Sequence, residues 1–141
     1  MSARHPSLVL QRQAAPRAAY KADPAQALIH KHARTLWSSD GDALHGSVTL
    51  AYEGVCWRYG IDRAVGGLHD APNPAEMLCA ALAACADASI RMLADALGIA
   101  LQRLEVEVAG KVDVRGCLAI DRNVPVGFQS LSCNVRIGAA D

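Results

Sequence analysis

The chain has 141 residues, with 14 basic and 14 acidic side chains and no net charge at pH 7. This balance argues against nucleic acid or an anionic membrane as the principal partner, and the length suits one domain with one hydrophobic core. Hydrophobic residues make up 52% of the chain and aromatic residues only 4%, so we expect a core built mainly from Ala, Leu, Val and Ile.

Two features of the sequence bear on where the protein works. Residues 1–27 contain scattered Arg and Ala without the long apolar run of a secretory signal, so we interpret them as a tail before a domain at residues 28–141, with a transit peptide as the alternative. The five cysteines form no CxxC pair and no Cys/His spacing typical of zinc sites, so we expect no metal and no other cofactor. The corresponding expectation is a cytoplasmic protein with reduced thiols.

Two stretches of alternating apolar and polar residues, 47–52 and 55–61, predict an antiparallel hairpin. Glu53-Gly54 joins them, and the Gly supplies the positive φ that a two-residue turn needs. A preceding strand over residues 29–37 is also predicted from poorer alternation, and it ends at the polar turn of residues 38–42. We therefore expect β structure before the middle of the chain.

The strongest local signal is the start of a long helix. Asn73 suits the N-cap, Pro74 suits the first helical position, and Glu76 can reach back to the cap amide. No breaker follows until Leu97, after which Gly98 is the expected terminator. Such a helix has about 24 residues and a length of roughly 36 Å. It is unusually apolar for a surface helix, so we expect it to run through the core.

Period-two patterns return after the helix. Residues 104–115 alternate between apolar and charged side chains, which predicts a half-exposed strand. Beyond the turn-rich residues 122–127, a last strand is predicted to place four side chains on one face: Leu131, Cys133, Val135 and Ile137. Strands grouped on both sides of one helix, rather than alternating βαβ units, predict an α+β fold with a largely antiparallel sheet packed around the helix.

Cys85 lies in an alanine-rich part of the predicted helix, where small side chains allow another element to approach closely. A reactive thiol needs a nearby cation, a helix N-terminus or a hydrogen-bond donor that lowers its pKa. Cys85 is about eleven residues beyond the first turn, where the effect of the helix dipole has faded. On these grounds it is either a small buried hydrophobic residue or a thiol activated by groups elsewhere.

Gly66-Gly67, followed by the residues NPAEMLCAALAAC from Asn73 to Cys85, resembles the GG…NPxELLxAALxAC signature of the OsmC/Ohr family. The similarity extends over about residues 46–138. It implies an intertwined α+β homodimer with active sites at the subunit interface. It also implies that Cys85 is the peroxidatic thiol, which attacks a small hydroperoxide and forms a sulfenic acid, and that a thiol reductant completes the cycle.

The resolving cysteine of the family lies on a later helix, beyond the last strand. This sequence ends at Asp141 before such a helix, so we expect the C-terminal segment with the second cysteine to be lacking. Cys79 lies roughly 9 Å from Cys85 along the helix, beyond the ~7 Å between Cα atoms that a disulfide allows. Cys133 is interpreted as a core residue, and Cys117 stays open as a substitute.

The supporting acid and cation also depart from the Ohr pattern, in which the acid directly follows the Pro of the motif. Here Ala75 has that place and the acid is Glu76, as in the OsmC-like branches. Glu76 is about 180° around the helix from Cys85, so it is a capping residue within one chain and can reach a thiol only across a dimer interface. Arg34 is the nearest match to the activating arginine of the family, with an ordinary solvated strand charge as the alternative.

The sequence therefore predicts an OsmC-like thiol-dependent hydroperoxide reductase, with Cys85 as the peroxidatic thiol and Glu76 and Arg34 as candidate supporting residues. The alternative is a non-catalytic or degenerate OsmC-like dimeric domain that binds a small apolar ligand. His45 and His69 have no partner at ligand spacing, so we interpret both as ordinary loop histidines.

Overall fold

The structure, a computed structural model, describes residues 6–37, 41–51 and 54–140. It contains three α-helices and five strands within these ranges, besides two single 3₁₀ turns. In chain order they are α1 Leu8–Ala22, β1 Ala33–Thr35, β2 His45–Leu50, β3 Cys56–Gly60, α2 Pro74–Leu97, β4 Leu101–Val112, α3 Val114–Cys117 and β5 Phe128–Ala139.

These elements fall into two compact units. The first unit comprises residues up to 30, residues 83–107 and residues from 134 onward; the second comprises residues 31–82 and 108–133. Helix α2 therefore begins in the second unit and ends in the first.

Strands β1, β2 and β3 form an antiparallel sheet in that order. Val48 of β2 lies opposite Trp57 of β3, which confirms the hairpin but not its predicted register. The Leu50 amide donates to the Val55 carbonyl at 3.1 Å, so four residues, 51–54, separate the paired positions instead of the predicted two. Gly54 has the predicted positive φ, at 76°. Tyr52 and Glu53, also assigned to this hairpin, lie outside the described residues.

Strands β4 and β5 form a second, two-stranded sheet. The Ala140 amide donates to the Ala100 carbonyl at 3.0 Å, and the Ser132 hydroxyl donates to the Ala109 carbonyl at 3.4 Å. Because the residue number falls along one strand as it rises along the other, the pairing is antiparallel. The antiparallel sheets and the one long helix confirm the predicted α+β class.

Helix α2 has the predicted bounds because local chemistry fixes both ends. The Glu76 amide donates to Asn73 Oδ1 at 3.0 Å, and the Asn73 amide donates to Glu76 Oε2 at 2.9 Å, which together form a capping box. At the other end Gly98 has a φ of 69°, and the Ile99 amide donates to the Ala94 carbonyl at 2.8 Å.

The strand predicted over residues 104–115 ends earlier than expected. Asp113 Oδ1 accepts a hydrogen bond from the Arg115 amide at 3.1 Å and thereby caps the single-turn helix α3. The short polar side chain at a helix start competes with the strand ladder, so Val114 and Arg115 leave the sheet. The early strand is likewise shorter than predicted, with three residues in β1.

Residues 1–27, interpreted as a tail, contain helix α1, which is attached to α2 within the first unit. Ser7 is the N-cap of α1, and its hydroxyl accepts from the Leu10 amide at 3.0 Å. The Asp95 carboxylate accepts from the Ser7 hydroxyl at 2.5 Å and from the Val9 amide at 2.9 Å. These bonds lower the pKa of Asp95, the one from Ser7 most. An anion at the positive end of α1 favours the helix.

The prediction that α2 runs through a core is wrong for the single chain. Among the described residues only Gly60, Asn73 and Ala94 are buried, and of these only Ala94 lies within α2. Apolar side chains along α2, such as Leu78 at 46% and Leu82 at 42%, are exposed. A helix that is apolar on several sides needs covering layers on each of them, and one copy of the chain leaves these side chains uncovered. The face of β5 that was predicted to enter the core is also exposed, because nothing in the described part of one copy of the chain covers it, and Cys133 on this face is therefore not a core residue.

Helix α2 is long and apolar enough to cross a membrane. The core helix of a soluble domain can have the same length and composition, so these two properties do not distinguish a membrane-spanning helix from a core helix. Both possibilities place apolar surroundings against this helix.

Candidate functional site

Cys85 lies on the first unit's part of α2, and its side chain is exposed rather than buried. Its carbonyl accepts a hydrogen bond from the Ser89 hydroxyl at 2.8 Å, one turn later. Two residues beyond it, Asp87 Oδ2 accepts from Arg91 Nε at 2.7 Å, and this bond raises the pKa of Arg91. Arg91 is therefore engaged with Asp87, and the Cys85 thiol faces outward from an alanine-rich helix surface.

Glu76 belongs to the second unit, where both carboxylate oxygens have partners. Oε2 accepts the Asn73 amide in the capping box, and Oε1 lies 3.4 Å from His69 Nε2. The other ring nitrogen of His69 lies 3.3 Å from Asp62 Oδ2, which also accepts from the Asn73 side chain at 3.0 Å. His69 is an exposed loop histidine whose ring lies between two carboxylates at the start of α2.

Arg34 lies on the short strand β1, opposite Thr49 of β2, and is exposed. It belongs to the second unit, as Glu76 does, whereas Cys85 belongs to the first. The roles predicted for Glu76 and Arg34 at the thiol stay predictions. What the structure adds is that Glu76 already serves as the cap of α2.

The second unit contains an open cavity of about 650 Å³ between β3 and the start of α2. Its volume lies in the usual range of small-molecule sites, and its wall is predominantly apolar. The Gly60 amide donates to the Pro72 carbonyl at 3.1 Å, which holds the loop before α2 against β3. The lining residues are Cys56, Trp57, Arg58, Pro72, Glu76, Met77 and Ala80.

Sequence reasoning missed Cys56 and Trp57 as site residues. Both belong to the predicted hairpin, but nothing in the period-two pattern joins that hairpin to the start of α2. The sequence singled out Glu76 as a helix cap and as a candidate acid for the thiol, but not as part of a cavity, and it singled out no role for Met77. The cavity depends on tertiary contacts between residues that are distant in sequence.

His45 is the first residue of β2, and both of its ring nitrogens face carboxylates. Nδ1 lies 2.8 Å from Asp42 Oδ2, and Nε2 lies 2.7 Å from Asp70 Oδ1. The bond to Asp70, followed by the bond to Asp42, raises the pKa of His45. The same bonds lower the pKa of both aspartates. The interpretation of His45 as an ordinary loop histidine is therefore wrong; the Asp42 spacing of three residues was the available signal, whereas Asp70 is 25 residues away.

Comparison with known proteins agrees with the motif at the start of α2. The family model described as OsmC-like protein matches residues 67–141, a little over half of the chain, and this range contains all of α2 with Glu76 and Cys85. The comparison with curated proteins gives no significant match. The match confirms the resemblance that the signature indicated, and the chain therefore belongs to the OsmC-like protein family, which is associated with peroxide and stress responses.

Proposed function

We propose that the protein is a thiol-dependent hydroperoxide reductase that uses Cys85 as its peroxidatic thiol. The observation that carries the proposal is the family match, whose range includes Cys85 in the NPAEMLCAALAAC segment. The exposure of Cys85 supports it, since a peroxide has to reach the sulfur. A cytoplasmic location, where thiols are kept reduced, suits this chemistry.

The first step is the attack of the Cys85 thiolate on the terminal oxygen of a hydroperoxide. The O–O bond breaks as the S–O bond forms, the leaving alkoxide takes up a proton and departs as an alcohol, and the cysteine becomes a sulfenic acid. Sulfur is oxidised by two electrons, and the peroxide is reduced by two. The thiolate is the reactive form, so groups that favour it accelerate this step.

The second step returns Cys85 to the thiol. A reductant thiolate attacks the sulfenic sulfur, a mixed disulfide forms, and the hydroxyl group leaves as water. A second reductant thiol then breaks this disulfide, which releases the oxidised reductant and restores Cys85. Because all five cysteines are free and no resolving partner is assigned, we propose this one-cysteine cycle with an external thiol.

We further propose that the working form is a homodimer. The exposed apolar side chains of α2, among them Leu82 and Met92, support a second copy as their cover, because large contiguous apolar patches mark interaction surfaces. Arg34 and Glu76 are then candidates to act on the Cys85 of the other copy. An arginine close to the thiol would lower its pKa and favour the thiolate.

A direct test measures the alkylation rate of Cys85 between pH 5 and 10 together with the consumption of an organic hydroperoxide by stopped flow. We expect Cys85 to be alkylated faster at neutral pH than a free cysteine in a short peptide, and peroxide consumption to rise with pH in parallel with alkylation, because the thiolate is the reactive form in both reactions. Alkylation no faster than that of the peptide thiol, with no peroxide consumption, would contradict the proposed activity.

The cavity favours a second candidate function, the binding of a small apolar ligand. Trp57, 48% exposed, supplies an aromatic wall for such a ligand. With 1-anilinonaphthalene-8-sulfonate as the probe, we expect Trp57→Ala to weaken binding by about tenfold, because the largest apolar surface of the cavity is removed. Trp37→Ala is the matched control, since Trp37 is not among the lining residues. Equal probe binding by both variants would remove this candidate.

A further inference from the structure

His45 connects two loops that are far apart in sequence. Its side chain is only 16% exposed, whereas those of Asp42 and Asp70 are 62% and 44% exposed. Nδ1 is within hydrogen-bond distance of both Asp42 oxygens, at 3.0 and 2.8 Å, and Nε2 is 2.7 Å from Asp70. An imidazole donates from both nitrogens only when it is protonated, so this geometry suits the imidazolium.

The two carboxylates tie the ring to different parts of the second unit. Asp42 Oδ1 also accepts from the Leu44 amide at 2.7 Å, which fixes the turn that leads into β2. Asp70 belongs to the loop before α2, and its Oδ2 lies 3.7 Å from Arg58 Nη2 on β3. The ring is therefore placed between the start of β2 and the loop that precedes α2.

This loop forms part of the cavity wall. Pro72, two residues after Asp70, lines the cavity, and its carbonyl accepts from the Gly60 amide at 3.1 Å. The loop lies so close to β3 that a Cβ added at Gly60 would stand 3.3 Å from Asp70 Oδ1. Arg58, which faces Asp70, lines the same cavity. Asp70 therefore connects the bond with His45 to two lining residues: it lies 3.7 Å from Arg58, and Pro72 follows it by two positions in the same loop.

We propose that Asp42, His45 and Asp70 form a proton-dependent latch, which holds the loop of residues 70–72 against β3 when His45 is charged and releases it when His45 is neutral. A neutral ring has one N–H, so it donates to only one of the two carboxylates, and its other nitrogen presents a lone pair to an anion. Loss of the proton therefore weakens the connection between β2 and the cavity wall.

The direction of the pH dependence follows from the charges around the ring. Asp42 faces it from the turn before β2, and Asp70 faces it from the loop before α2, with Arg58 beyond Asp70. The two carboxylates raise the pKa of His45 above its ordinary value of 6.5. While both carboxylates are ionised, the contribution of the latch to stability is thus complete below about pH 6.5 and is lost as the pH rises through the raised pKa of His45. The latch is closed in mild acid and opens as His45 loses its proton, and it is also lost in strong acid, where Asp42 and Asp70 are protonated.

The test combines an NMR titration of the histidines with amide hydrogen exchange at Gly60, whose N–H bonds to the loop at Pro72. We expect the protection of the Gly60 amide, corrected for its intrinsic exchange rate, to fall as the pH rises through the pKa of His45. If the acid constant of His45 differs tenfold between the closed and the open loop, full deprotonation of His45 lowers the protection of the Gly60 amide by about tenfold.

Two variants and one control separate the latch from general destabilisation. His45→Gln is expected to give weak Gly60 protection that does not change with pH, and Asp70→Asn is expected to move the pKa of His45 down toward 6.5. His32→Gln, which alters an exposed histidine before β1, is expected to behave like the wild type. A wild-type His45 pKa at or below 6.5, or Gly60 protection that ignores the titration of His45, would overturn the proposal.

Discussion

The variant Cys85→Ser is expected to lose peroxide consumption almost completely, by at least about a thousandfold, because a hydroxyl is a far weaker nucleophile toward a peroxide oxygen than a thiolate. The substitution changes one exposed atom, so we expect the helix content by circular dichroism to stay unchanged. Stopped-flow consumption of an organic hydroperoxide, with a small dithiol as reductant, measures the effect.

The matched control is Cys79→Ser, which makes the same atomic change six residues earlier on the same helix. Cys79 is half-buried and is expected to leave the rate within about twofold of the wild type. A sulfenic acid trapped by dimedone should appear on the peptide that contains Cys85 and should be absent from Cys85→Ser. Full activity in Cys85→Ser, or loss of activity in Cys79→Ser alone, would assign the chemistry to another residue.

Local chemistry explains which elements the sequence predicted correctly. The bounds of α2 depend on Asn73, Glu76 and Gly98, whose effects reach no further than one helical turn. Gly54 has its predicted positive φ for a similarly local reason. The predicted strand extended to residue 115, whereas β4 ends at Val112, because the Asp113 side chain caps a helical turn although the alternation of apolar and charged residues continues.

The His45 cluster and the cavity depend on contacts between distant parts of the chain, which sequence patterns do not predict. By contrast, the apolar pattern of α2 and the lack of a later helix to pack on it predicted uncovered surface around Leu78 and Leu82, and both are exposed in one copy of the chain. The bond from His45 to Asp70 joins residues 25 positions apart, and no spacing rule points to it. Periodicity describes one element at a time, whereas a latch or a cavity requires two elements to meet.

The second large effect concerns the dimer. We expect the wild type to sediment with twice the 14.9 kDa mass of one chain at micromolar concentration, and Leu82→Glu to sediment as a monomer. Leu82 is 42% exposed on α2, and a carboxylate there would have to be buried without a partner if a second copy covered this face. The dissociation constant of the dimer should therefore rise by at least about a hundredfold.

Two controls make the cause specific. Leu82→Met keeps an apolar side chain and is expected to remain a dimer. Leu118→Glu alters a leucine that is similarly exposed, at 45%, but lies at the end of α3, so this variant is also expected to remain a dimer. If Arg34 and Glu76 of one copy serve Cys85 of the other, monomeric Leu82→Glu should also lose peroxide consumption while its thiol still reacts with alkylating agents in alkali. A wild-type monomer, or a dimer that persists in Leu82→Glu, would instead require the exposed face of α2 to be covered by something other than a second copy.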